Sequence, residues 1–200
     1  PFKAVRPIRN KVHLICSRPY YTYKKKHLKS KLETNPYSFL HVINPEYNKA
    51  NQKTPNSIER FKLVKKKYKD FKKNKLFIKD INASFYVYRQ SSKHGVFTGL
   101  IAGASIDDYE KNYIKKHEKT INEREKLFKT YLEICNFHAE PILLAYKPSS
   151  KIKLIINNNI SNRPEYEFTT TDKKNHELWL INDNKQINTL IKEFEPINNI

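Results

Sequence analysis

Ile58, Phe61, Val64, Tyr68 and Phe71 recur at spacings of three and four. That pattern predicts one amphipathic helix to about Asn74, with Pro55 suited to its first turn and the aromatic stripe turned inward as core. Leu28 and Leu32, four apart in the Lys-rich stretch 23–33, predict a surface helix. The short apolar runs Val12–Cys16 and Phe39–Ile43 read as buried strands. Ser17-Arg18-Pro19 breaks the first and an Asn35-Pro36 turn introduces the second. Phe85–Gln90 and Val96–Ile106 read as a hairpin. Gly99 and Gly103 fall inside its second strand, where a glycine serves either a bulge or a close approach to the backbone.

Beyond residue 120, Leu127, Tyr131, Leu132 and Cys135 form the inner face of a helix over 121–135. Pro141–Tyr146 reads as a strand, and 149–159 as a helix capped by Ser149 or Ser150. Tyr166–Thr171 and His176–Ile181 read as strands around a polar turn, and Asp183 caps a last helix through Phe194. At the other end, Phe2 and Val5 anchor an edge strand. Hairpins mixed with helices, without a repeat, place the chain in the α+β class: a mixed or antiparallel sheet with hairpins packed against several helices, in one region over 1–200.

Charge changes this picture less than its size suggests. The chain has a net charge of +19, carried by 32 Lys and only 7 Arg. Arg is the residue whose fork pairs bidentately with guanine and phosphate, so a Lys-heavy balance fits a solvated basic face better than base reading. No apolar run is long enough to span a membrane, and no secretory signal pattern opens the chain, so a soluble cytoplasmic protein without a membrane partner is expected. Cys16 and Cys135 lack metal-ligand spacing and are expected as reduced thiols.

Candidate chemistry gathers in Ile114-Lys115-Lys116-His117-Glu118-Lys119-Thr120, between an apolar run (Gly99–Ile106) and a helix-like segment. Cations, an imidazole, a carboxylate and a hydroxyl ahead of a helix suit phosphate or carboxylate binding, since the helix start adds unpaired N–H donors. Lys116 and Thr120 are the candidate phosphate or substrate ligands, and His117 and Glu118 the candidate acid/base pair. The alternative is a solvated basic face with Glu118 as counter-ion. Arg89, at a strand end, is a candidate anion clamp or a member of a structural ion pair. His41 reads as a hydrogen-bonded structural histidine. Three glycines exclude a glycine-rich phosphate loop, and no Rossmann fingerprint, zinc-protease helix or nucleophile elbow is present. No metal site is expected.

Five ordered motifs add a resemblance: Pro1–Pro7, Asn35–Val42 (Asn-Pro-Tyr-Ser-Phe-Leu-His-Val), Tyr86–Gln90, Ile114–Thr120 and Glu140–Tyr146. Together they resemble the bacterial and archaeal family labelled domain of unknown function 1015. The resemblance implies that this chain is the N-terminal half of a longer protein, whose Asp-Gly-His-His-Arg motif lies beyond residue 200. It also implies a link to ParB/sulfiredoxin-like phosphate-binding proteins and free-serine kinases. The function expected is phosphoryl transfer, with ATP or ADP and Mg2+, to a small metabolite such as serine. The alternatives are a non-catalytic metabolite sensor and a nucleic-acid-binding module. Two departures from the family pattern stand out: Leu127 and Phe128 stand where relatives carry an Asp-Arg pair, and Tyr21 where they carry an aspartate.

Overall fold

The computed structural model describes residues 1–47, 53–116 and 120–197. In chain order the elements are β1 (Val5–Pro7), α1 (Val12–Ile15), α2 (Lys25–Thr34), α3 (Leu40–Ile43), α4 (Ile58–Lys73), β2 (Phe77–Lys79), β3 (Phe85–Ser92) and β4 (Gly95–Ile101). They continue with α5 (Ile106–Glu110), α6 (Asn122–Cys135), α7 (Ser150–Ile160), β5 (Tyr166–Thr169), β6 (Asn175–Ile181) and α8 (Asn184–Phe194). β1 pairs with β2, and a separate antiparallel sheet has the order β4-β3-β6-β5. The class is α+β. Two compact units form, each discontinuous in sequence: residues 1–5, 79–118 and 141–200 make the sheet unit, and 6–78 with 119–140 make the helical unit.

In the sheet unit, alternation along β3 sends Phe85 and Val87 to one face, where β6 contributes their register partners Ile181 and Trp179. Ile152 of α7 and Ile187 and Leu190 of α8 cover that face and complete the core. Ser149 caps α7 by accepting from the Ile152 N–H (3.4 Å), and Asp183 caps α8 by accepting from that of Gln186 (2.9 Å). The two helices run antiparallel. Lys151 and Ser149 both reach Glu193 (2.9 and 3.1 Å), while Asn159 donates to Gln186 (2.7 Å).

In the helical unit, Phe61, Val64 and Phe71 of α4 are buried with Ile15, Val42, Leu76 and Cys135. Tyr68 stacks on Phe137 (4.2 Å between centroids), so the aromatic stripe is core as its spacing predicts. Ile58 is the exception: it lies exposed in the first turn, behind the Ser57 cap. The far end closes through Lys75 in the left-handed region. Leu76 N–H donates to Phe71 O and Lys75 N–H to Lys72 O, each at 3.0 Å, which returns the chain toward β2.

Four segments differ from the periodicity reading. Val12–Ile15 and Leu40–Ile43 are short helices, because a four-residue apolar run carries no period that separates strand from helix. Tertiary bonds decide between them. Phe39 N–H donates to Ile15 O (2.9 Å), and Asn35 donates through Nδ2 to Leu14 O (2.7 Å). Pro141–Tyr146 joins no ladder; Leu144 and Tyr146 are half-buried while Leu143 is 97% exposed. The second hairpin strand ends at Ile101 rather than Ile106, because Ser105 caps α5.

Both cysteines are free, Cys135 buried within the core and Cys16 beside it in sequence to buried Ile15. Burial pushes the Cys16 thiol up to about 11 and raises that of Cys135. Neither thiol should react with an aromatic disulfide reagent at pH 8 until the protein is unfolded. Rapid labelling of the native protein would contradict this packing.

Candidate functional site

The 114–120 segment leaves α5 through a tight reversal. Asn112 is in the left-handed region, and the N–H groups of Tyr113 and Ile114 both donate to Asp108 O (2.8 and 3.2 Å). Ile114 is buried and anchors the segment, and Lys115 and Lys116 follow it at the surface. The Lys116 ammonium sits 4.8 Å from the centre of the Tyr109 ring, a cation–π placement. His117, Glu118 and Lys119 lie outside the described residues. Thr120 is exposed, and its hydroxyl donates to the Glu125 carboxylate. Glu123 and Glu125 occupy the first turn of α6, so carboxylates already complement the dipole at that helix start. Lys116 belongs to the sheet unit and Thr120 to the helical unit.

Arg89 lies on the core-facing side of β3, one pair beyond Val87 and Trp179. Its Nε and Nη2 donate to the two oxygens of Glu177 at 2.7 and 2.6 Å, a bidentate fork, and its guanidinium lies 4.9 Å from the Trp179 ring centre. The hydrogen bonds to Glu177 come first in holding this guanidinium even more firmly protonated than usual, with the charges of Glu177 and Glu167 adding to them. Of the two readings of Arg89, the ion pair is the arrangement seen. Glu177 is buried, and sequence reasoning missed it because its partner stands 88 residues away.

The other face of the same sheet carries a second polar group that the sequence did not single out. Tyr88 Oη lies 2.6 Å from His176 Nδ1, and His176 Nε2 lies 3.3 Å from Thr170 Oγ1. Thr170 Oγ1 in turn donates to Lys174 O (3.1 Å). Because that hydroxyl spends its proton on Lys174, it must accept from His176. Nε2 therefore carries the ring proton, and Nδ1 accepts from the Tyr88 phenol. Phe168 stacks on the imidazole (5.1 Å, 16°). Burial comes first in lowering the His176 pKa, Lys174 also lowers it and Asp172 opposes them, which keeps the ring neutral near pH 7. The only sequence signal for this group was a strand opening on His176-Glu177.

The Asn35–Glu46 stretch acts as structure. Asn35 Oδ1 accepts from Tyr37 N–H (3.1 Å), and His41 Nε2 lies 3.1 Å from Asn35 O, the satisfied histidine expected. Arg60 reaches back from α4 to Ile43 O (2.8 Å) and Glu46 (2.9 Å). Among the described residues no group of three or more His, Cys, Asp or Glu side chains is placed to hold a metal ion.

Two consequences are measurable. Glu177→Gln leaves the Arg89 charge half-buried without its carboxylate, and urea denaturation should show a loss of about 3 kcal/mol, the lower end for a broken buried pair. A loss under about 1 kcal/mol would mean the pair behaves as an exposed one. His176 titrates with the opposite sign to an ion-paired histidine. Its folded pKa is depressed, so the unfolded chain takes up the proton first. The stability is present above about pH 6.5 and is lost as pH falls through the folded value. The melting temperature of His176→Gln should therefore fall less than that of the unaltered protein between about pH 7.5 and pH 5.

No helix among the described residues is long and apolar enough to cross a membrane. No curated protein and no solved structure matches the chain. The model of the family described as Protein of unknown function (DUF1015) matches residues 1–200. The expected family is thereby met over the whole sequence: the chain belongs to DUF1015.

Proposed function

We propose that this chain contributes a phosphate- and substrate-binding segment to a phosphoryl-transfer enzyme, acting with ATP or ADP and Mg2+ on a small hydroxylated metabolite such as serine. The observation that carries the reading is that Ile114 is buried and Lys115 and Lys116 stand at the surface, immediately ahead in sequence of His117 and Glu118. Phosphoryl transfer asks mainly for positioning and neutralisation of oxygen charge, which cations beside one carboxylate supply. In this reading Lys116 draws the phosphate, Glu118 accepts the proton of the attacking hydroxyl and His117 assists it. Thr120 would contribute its hydroxyl by exchanging Glu125 for substrate. Arg89, whose fork is engaged by Glu177, would act on a phosphate only by exchanging that carboxylate for it. The magnesium ion arrives with the nucleotide as part of the substrate. The ParB/sulfiredoxin-like link implied by the motifs agrees with this chemistry.

The test is turnover by the full-length protein with ATP or ADP, Mg2+ and a panel of hydroxy-amino acids, followed by phosphorus NMR. Phosphoserine or an analogue should form. Glu118→Gln should lower kcat by about 100-fold or more, as expected for loss of a general base. Lys116→Ala should raise KM about tenfold, a loss of about 1.4 kcal/mol of binding. No phosphorylated product with any member of the panel defeats the proposal. Binding without turnover would point to a sensor, and salt-sensitive, sequence-selective DNA binding to a nucleic-acid module.

A further inference from the structure

The four-stranded sheet has two unlike edges. β5 is short, four residues long, and charged residues surround it: Arg163, Glu165, Glu167, Asp172, Lys173 and Lys174. These are the usual guards of an open edge. β4 is seven residues long and pairs, among the described residues, with β3 alone. Residues 95–106 contain no charge and no proline, although 30% of the chain is charged. Val96 and Phe97 lie on opposite faces of this edge and are 63% and 66% exposed.

The order of residues along β4 selects the partner. From the β3 register, Phe97, Gly99 and Ile101 share the face of Tyr88, while Val96, Thr98 and Leu100 share the face of Arg89. Set antiparallel to itself about Thr98, the strand places Phe97 opposite Gly99, Val96 opposite Leu100, and Thr98 opposite Thr98 of the second copy. Each pair falls on one face of the sheet. A Cβ at Gly99 would meet nothing within 4 Å, so the space that a Phe97 ring from the second copy requires is open. An aromatic ring laid across a cross-strand glycine, a Thr–Thr pair and an aliphatic pair are each favourable in antiparallel sheets. β3, β6 and β5 have no part in the contact.

We propose that β4 is a self-association edge: two copies of this chain pair antiparallel through residues 95–101, about a two-fold axis normal to the sheet at Thr98, forming one continuous eight-stranded sheet. Such an interface is isologous, as a two-fold requires. The occupant is a second copy rather than an acidic or basic partner, because the strand offers a self-complementary sequence and no charge. The two net charges of +19 oppose the encounter, so salt should strengthen the dimer. Binding of a polyanion would respond to salt in the reverse sense.

Sedimentation equilibrium of the protein between about 5 and 200 µM, a range suited to a small interface, should show a monomer–dimer equilibrium that tightens with added salt. Phe97→Gly and Gly99→Phe alone should each weaken the dimer at least tenfold. The double exchange, Phe97→Gly with Gly99→Phe, restores the same cross-strand pairs and should restore the dimer. Thr98→Lys, an exposed substitution, sets two like charges face to face at the axis and should give monomer with an unchanged circular dichroism spectrum. A protein that stays monomeric over the whole range at high salt overturns the proposal. So does a dimer indifferent to Thr98→Lys, or one that the double exchange fails to restore.

Discussion

Most of the sheet unit depends on the register between β3 and β6. That register sets Phe85 on Ile181, Val87 on Trp179 and Arg89 on Glu177, three successive pairs on one face. The first two are apolar and meet α7 and α8; the third ends the core with a charged pair under an indole. A slip of β6 by one residue would turn its side chains over, burying His176 beneath the helices and exposing Trp179. The Arg89–Glu177 fork therefore serves as a register lock. In any other alignment a guanidinium or a carboxylate is buried without its partner, which costs several kcal/mol. The Tyr88–His176–Thr170 chain repeats that logic on the other face, where a fixed tautomer lets each polar atom be satisfied only in this pairing.

The helical unit is organised by tertiary hydrogen bonds rather than by local period. Asn35 joins the segment after α2 to the carbonyl of Leu14, and Arg60 joins α4 to Ile43 and Glu46. These bonds explain where the sequence was legible and where it was not. The stripe of α4, the Ser149 and Asp183 caps, the first hairpin and the β5–β6 strands could be read, because each has a period or a cap of its own. Val12–Ile15 and Leu40–Ile43 could not, since four apolar residues fit either backbone and the deciding partners lie up to 24 residues away. The two units went unmarked for a related reason. Each is assembled from separated segments, so no linker of distinct composition divides them.

The candidate chemistry was legible to a similar depth. The cluster at 114–120 stood out by composition, and buried Ile114 explains why it follows an apolar residue. Composition could not say that Thr120 would be engaged by Glu125, or that two carboxylates would take the start of α6. Arg89 was legible as a rare arginine in a strand; its place inside β3, which continues to Ser92, and Glu177 as its partner needed the fold.

The division of labour between arginine and lysine gives the charge its meaning. Arg18 lies over the Tyr23 ring, Arg60 holds Glu46 and the Ile43 carbonyl, and Arg89 holds Glu177 over Trp179. The planar fork is thus used where a fixed geometry has to be enforced inside the protein. Lysines 29, 129 and 151, by contrast, are well exposed even where they form ion pairs. A coat of solvated lysines raises the potential over the whole surface without choosing a ligand, so it favours encounter with any anion equally. Selectivity must then come from places where that coat is interrupted. Two such places stand out: the 114–120 segment, where an imidazole and a carboxylate join the cations, and β4, where charge is absent altogether. The first is the segment proposed to take phosphate; the second is the edge proposed to pair with a surface that brings no charge of its own.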